Sequence, residues 1–139
     1  MAEVVRDVMT SDPVALPADT PVRQAAQAMR DKDIGDVLVV DGETLRGIVT
    51  DRDIVTRGLA ERDDLTGCTL GEVCSEVVVT AAPDEDADNA IIRMREHAVR
   101  RIPVVDGGRP VGVFSLGDAA VIRDGRSALA DISAAPGNS

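Results

Sequence analysis

Apolar positions along the chain change period in a fixed order, and that order occurs twice. Val22, Ala25, Ala26 and Met29 are spaced i, i+3, i+4, i+7, which is one face of a helix, and Ala87, Ala90, Ile91 and Met94 repeat the spacing. Thr20 ahead of Pro21 predicts an N-cap followed by proline at the first helical position. Two β-branched runs follow each helix. Asp36 to Val40 and Leu45 to Thr50 flank Asp41-Gly42, while Arg101 to Val105 and Pro110 to Ser115 flank Asp106-Gly107. An Asp-Gly pair between such runs predicts a tight hairpin, because glycine takes the positive φ that the turn requires. A short amphipathic turn (Val4 to Met9; Leu70 to Cys74) and an extended stretch (Val14 to Leu16; Val77 to Thr80) precede each helix. A closing helix is predicted to start at Thr50 and again at Ser115. Each copy therefore reads β-α-β-β-α.

A shift of 65 positions aligns the copies without a gap. Val39-Val40-Asp41-Gly42 falls on Val104-Val105-Asp106-Gly107, Met29-Arg30 on Met94-Arg95, Gly47 on Gly112 and Asp53 on Asp118. Between 8–53 and 73–118, 12 of 46 positions are identical, against about three for unrelated sequences of ordinary composition. The chain is a duplication. The predicted organisation is a first repeat over 1–60, a charged linker over 61–69 containing Gly67, a second repeat over 70–124 and a flexible tail over 125–139. Within that tail, Ser127 to Ile132 is expected to form one helical turn at most, and Ala134 to Ser139 to fray. A unit this small leaves one apolar sheet face that it cannot cover alone, so the copies are expected to pack by a pseudo-twofold axis.

Composition narrows the function. The 139 residues carry a formal charge of −10 and only one aromatic residue, Phe114. A net anion is repelled by a phosphate backbone, and base-stacking platforms need aromatic faces, so nucleic acid is an unsuitable partner. No apolar run approaches the roughly 18 residues of a membrane span, and the N-terminus lacks a basic-then-apolar leader. A cytoplasmic protein with no membrane partner is expected. Cys68, Cys74 and the lone His97 do not make a metal-ligand set, so no metal site is expected, and the thiols read as small buried side chains, with a redox bridge left open. His97, aligned with Lys32, reads as a solvated surface residue. No P-loop and no nucleophile with a neighbouring base stands out, which places catalysis last among the functional readings.

The second copy carries Val99-Arg100-Arg101-Ile102-Pro103-Val104-Val105-Asp106 with Gly112-Val113-Phe114-Ser115-Leu116-Gly117-Asp118, and the first carries Ile34-Gly35-Asp36-Val37-Leu38-Val39-Val40-Asp41 with Gly47-Ile48-Val49-Thr50-Asp51-Arg52-Asp53. By these motifs the chain resembles the cystathionine-β-synthase-type (CBS) domain family. The resemblance spans about residues 4–122 and is similar to stand-alone two-CBS proteins of actinobacteria, some linked to stress or dormancy. It implies an α/β (α+β) fold of two CBS repeats, a Bateman module, with two related clefts. It also implies a non-catalytic regulatory sensor of an adenosine-containing ligand such as AMP, ADP, ATP or S-adenosylmethionine. No cofactor is required, and a homodimer and a separate regulated protein are the implied partners.

By the same resemblance, Asp53 and Asp118 accept from ribose hydroxyls, and Thr50 and Ser115 lie beside ribose or phosphate. Ile102 and Val37 would sandwich adenine, and Arg100 and Arg101 would neutralise phosphate through their forked donors. The implied main site comprises Thr80, Arg100, Arg101, Ile102, Pro103, Ser115 and Asp118, and the weaker second site comprises Val14, Val37, Thr50 and Asp53. A helix N-terminus would offer N–H groups to an anion. Thr50 with Asp53, and Ser115 with Asp118, also have the spacing of a capping box, a purely structural role that spacing alone does not separate from ribose binding. Strand alternation allows only one of Arg100 and Arg101 to face a ligand. The first copy has Gly35-Asp36-Val37-Leu38 where the second has Arg100-Arg101-Ile102-Pro103. The cleft at Asp118 is therefore expected to be the better nucleotide site, although Arg52 or Arg57 could serve phosphate. A ligand-free dimerisation or docking module is the alternative.

Overall fold

The computed structural model describes residues 3–77 and 79–123. The expectations for the tail 125–139 lie outside the described residues. In chain order the elements are α1 (Val5–Val8), β1 (Thr10–Ser11), β2 (Ala15–Pro17), α2 (Val22–Lys32), β3 (Asp36–Asp41) and β4 (Thr44–Thr50). Then come α3 (Asp51–Asp53), which runs into a π-helical segment Ile54–Leu59, α4 (Leu70–Val73) and β5 (Ser75–Glu76). The last are α5 (Ala87–His97), β6 (Arg101–Asp106), β7 (Arg109–Ser115) and α6 (Leu116–Arg123). The fold is mixed α and β, with each repeat's helix, hairpin and closing helix where the periodicity places them. None of the helices among the described residues is long and apolar enough to cross a membrane.

The contacts divide the chain into two compact units whose described residues are 14–77 and 3–13 with 79–123. In the first, β2 runs parallel to β3, and β3, β4 and β5 pair antiparallel in that order. In the second, β1 and β6 both pair antiparallel with β7. The counterpart of β2 there shrinks to a single parallel bridge, in which Ala81 N donates to Pro103 O and Val105 N to Ala81 O. The units do not coincide with 1–60 and 70–124. The leading turn and strand of each sequence repeat join the other repeat's hairpin: α1–β1 completes the sheet of β6 and β7, and α4–β5 that of β3 and β4.

Each unit has its own apolar core. Val22, Ala25 and Met29 of α2 meet Val37, Val39, Val49, Leu70 and Val73 in one. Ala87, Ala90 and Met94 of α5 meet Val5, Ile102, Val104 and Phe114 in the other. The predicted helical faces are thus the buried ones. Two local expectations shift by one residue. Pro21 is the N-cap of α2, not its first residue, and Thr20 makes no side-chain cap bond. Pro21 bridges Thr69, with Leu70 N donating to Thr20 O and Val22 N to Cys68 O, and these bonds hold Pro21 extended. In the hairpins, Asp41 pairs with Thr44 and Asp106 with Arg109, so the turns are Gly42-Glu43 and Gly107-Gly108. Gly42 takes a φ of 63°, and Gly107 and Gly108 take 61° and 84°, as reversal within two residues demands.

Gly47 and Gly112 occupy equivalent places where the exchanged strand crosses the hairpin. A Cβ on Gly47 would lie 2.8 Å from Ser75 O, and one on Gly112 would lie 2.9 Å from Thr10 O. Backbone cannot retreat like a flexible side chain. Gly112→Val is therefore expected to push β1 off β7 and destabilise its unit by about 2–3 kcal/mol, read as a lowered denaturation midpoint at unchanged m-value.

Candidate functional site

The closing helix of each repeat is started by the same device. In α6, Asp118 N donates to Ser115 Oγ (3.2 Å) and Ser115 N to Asp118 Oδ2 (2.9 Å). In α3, Asp53 N donates to Thr50 Oγ1 (3.1 Å) and Thr50 N to Asp53 Oδ2 (2.9 Å). Both pairs are reciprocal capping boxes. The structural role of Ser/Thr-x-x-Asp is thus present in both copies, and it uses one carboxylate oxygen and leaves the other. Leu116 N also donates to Arg100 O (2.8 Å), and Asp51 N to Gly35 O (3.0 Å), tying each helix start to the strand beside it. Two of the first-turn N–H groups of α6 that an anion would need are therefore already engaged.

The copies diverge at the second oxygen. In the 14–77 unit, Ser75 Oγ donates to Asp53 Oδ1 at 3.5 Å. The residue matching Ser75 in the other copy is Thr10, and it makes no such bond among the described residues. There Asp118 lines a cavity of about 500 Å³ together with Glu3, Asp7, Val8, Thr10, Val121 and Ile122. Burial pushes the Asp118 carboxyl above its ordinary pKa, against the lowering effect of its hydrogen bonds with Ser115. Glu3, Asp7 and Thr10 escape sequence reasoning because they belong to the other repeat's leading segment. Only the segment exchange brings them to Asp118.

The remaining expected residues are dispersed. Ser115 sits opposite Arg101 across β6 and β7, as Thr50 sits opposite Asp36 across β3 and β4, so the copies carry opposite charge at one register position. Arg100 is exposed just before β6, and Arg101 is half-buried. Ile102 and Val37 are fully buried in the cores of their own units, so they have main-chain groups to offer a ligand and no free side-chain face. Pro103 is buried, its carbonyl accepting from Ala81 N. Thr80 lines a separate groove of about 270 Å³ with Ala81, Ala82, Glu85, Arg93 and Val105, where Arg93 is ion-paired to Glu85. Val14 is half-buried with its carbonyl accepting from Leu38 N (2.8 Å). Arg57 Nη1 donates to Cys74 O (3.3 Å), and Arg52 is exposed.

Cys68 and Cys74 are free thiols, and burial pushes the Cys68 thiol above its ordinary pKa, which suppresses its thiolate. His97 is exposed, with Nδ1 3.1 Å from Arg93 O. Among the described residues no three His, Cys, Asp or Glu side chains are placed to hold a metal ion.

A duplicated β-α-β-β-α chain, each copy ending in a hydroxyl–carboxylate box at a helix start, defines a paired-repeat class of small α+β proteins. The CBS domain model matches residues 5–59 and 70–123, and the chain belongs to the CBS domain family. It is 36% identical over 118 residues to the CBS domain-containing protein YhcV of Bacillus subtilis, covering 84% of this chain and 83% of that one. It is 34% identical over 116 residues to hypoxic response protein 1 of Mycobacterium tuberculosis, covering 83% and 81%. Among solved structures, the CBS domain pair of protein MJ0100 in complex with 5′-methylthioadenosine and S-adenosyl-L-methionine superposes with a TM-score of 0.80. It has 27% identity, over 91% of this chain and 100% of that one. Hypoxic response protein I with two coordinated zinc ions gives a TM-score of 0.76 at 34% identity, over 85% and 97%.

Proposed function

We propose that this chain is a non-catalytic regulatory module that binds an adenosine-containing ligand beside the Ser115–Asp118 turn. The observation that carries the reading is Asp118 itself: its Oδ2 closes the capping box, and the residue lines a cavity of about 500 Å³, in the size range of small-molecule sites. A vicinal diol has two O–H donors for such a carboxylate. The CBS pair of MJ0100, bound to 5′-methylthioadenosine and S-adenosylmethionine, supports adenosine as the class. The Asp53 site is the weaker one, because Ser75 already occupies its free oxygen and Asp36 adds an anion beside Thr50. The setting is cytoplasmic, the module acts as a homodimer, and the regulated protein is a separate molecule. Calorimetry with AMP, ADP, ATP and S-adenosylmethionine tests the reading.

Its pH dependence has a definite sign. In the free protein Asp118 keeps its proton to higher pH than an unfolded aspartate does. Its contribution to stability is therefore full below the unfolded pKa and lost as pH rises through the folded pKa. A ligand hydroxyl favours the carboxylate, lowers that pKa and releases a proton on binding. Affinity is expected to rise with pH through the Asp118 titration and to level off above it. Calorimetry in two buffers of different ionisation enthalpy reads the released proton directly.

A second reading, a ligand-free dimerisation or docking module, draws on exposed apolar side chains. They are Val55 (56% exposed) and Leu59 (52%) in one unit and Leu116 (59%) in the other. No heat and no stabilisation by any nucleotide at millimolar concentration would favour it.

A further inference from the structure

We propose that the cavity at Asp118 selects among adenosine ligands by charge, accepting a phosphate-free nucleoside, neutral or cationic, and rejecting 5′-phosphates. The inference rests on the adenosine reading above and adds the class of ligand. Among the described residues its walls carry three carboxylates (Glu3, Asp7 and Asp118), the Thr10 hydroxyl and three apolar side chains, and no Lys or Arg. Arg6, between Glu3 and Asp7 in sequence, is ion-paired to Asp84 instead. Among the described residues neither Glu3 nor Asp7 has an ion-pair partner, and the three carboxylates do not close on a metal ion that could bridge them to a phosphate.

The other copy shows how differently the same framework is filled. By the 65-residue shift, Glu3, Asp7, Thr10 and Asp118 correspond to Cys68, Glu72, Ser75 and Asp53. Cys68 is a buried thiol, Glu72 pairs with Arg62 and accepts from Thr69 N, and Ser75 donates to Asp53. Every acidic position there has a donor from the protein. Around Asp118, beyond the bond from Ser115 N, the described residues supply no side-chain donor and a cavity stands in its place, so the ligand supplies one. Ribose hydroxyls and an ammonium or sulfonium group do so. A phosphate brings two further negative charges to a cavity that already holds three carboxylates, Asp118 half-buried and Glu3 and Asp7 exposed, and like charges repel. The N–H groups at the start of α6 give little relief, since Leu116 N and Asp118 N are engaged.

Calorimetry with adenosine, S-adenosylmethionine, AMP and ATP, without divalent metal, tests the proposal. Adenosine and S-adenosylmethionine are expected to bind at least about tenfold more tightly than AMP, and ATP more weakly still. The Glu3→Gln/Asp7→Asn double variant is expected to raise AMP affinity about tenfold relative to that of S-adenosylmethionine. Should the variant fold poorly by circular dichroism, raising salt from about 50 to about 500 mM with the unmodified protein must narrow the gap between S-adenosylmethionine and AMP. AMP or ATP binding as tightly as the phosphate-free ligands, or a gap indifferent to both the variant and salt, overturns charge selection and leaves the adenosine reading standing. Binding by none of the four overturns both.

Discussion

Asp118→Ala is expected to abolish ligand-induced stabilisation, weakening binding at least thirtyfold, about 2 kcal/mol, while the protein stays folded. Two hydrogen bonds from a diol to a carboxylate are each worth about 1.5–3 kcal/mol when a charged group takes part. Part of this is returned because Asp118 is half-buried and its charge is already costly in the free state. The structural loss is smaller. Removing the Asp118 carboxylate frees Ser115 N and takes away half of the capping box of α6, about 1 kcal/mol. Asp53→Ala breaks the equivalent box in the other unit and also frees Ser75, so its structural cost is at least as large. The pair of variants therefore separates capping from binding. Both should lower the midpoint of thermal unfolding by a similar amount, and only Asp118→Ala should erase the further rise on adding ligand. Equal affinity in the two variants would place the ligand elsewhere.

The sequence carries most of the fold because its strongest signals are local. The helical faces at Val22–Met29 and Ala87–Met94 and the β-branched runs around the Asp-Gly pairs are properties of neighbouring residues. The 65-residue register shows each signal twice, so accident is excluded. The errors arise where a distant partner overrides a local preference. Pro21 has the φ for a first helical residue but is held extended by its bridge to Thr69. The π-helical segment Ile54–Leu59 has no counterpart in α6 and no periodic signature, and Gly58 within it packs against Leu65 from the linker. The candidate site is legible to the same degree. Ser115 and Asp118 are readable as a motif, and the charge reversal between Asp36 and Arg101 is readable from the alignment. The side-chain direction of Ile102 is not, since on a strand covered by α5 and Phe114 the core claims it. Glu3 and Asp7 are invisible as site residues, because a repeat read as a continuous segment assigns them to the wrong hairpin.

That exchange has the largest energetic consequence of any feature here. Deletion of residues 1–11 is expected to unfold the unit built on 79–123 while the 14–77 unit keeps its protection. Val5 is fully buried in the core with Ile102, Val104 and Phe114, and its burial is worth about 1.5–3 kcal/mol. Three backbone bonds are lost as well: Val5 N to Glu85 O, Arg6 N to Pro83 O and Ala87 N to Glu3 O. The departing β1 would leave β7 an open edge over a cavity in the core, so the total exceeds about 5 kcal/mol, the lower end of a small domain's whole stability. Amide exchange should show β6, β7 and α5 exposed and β3 and β4 unchanged. A synthetic peptide of residues 1–13 added in trans should restore the lost protection. The converse follows from the same contacts. Cleavage in the exposed stretch around Arg62 cuts the chain between repeats, yet the fragment ending there contributes Val5 and β1 to one sheet. The fragment beginning there contributes Leu70, Val73 and β5 to the other. The two pieces are expected to elute together from a sizing column under native conditions and to separate only in denaturant. Fragments that part without denaturant would mean that each repeat folds on its own residues, and the exchange would then carry no energetic weight.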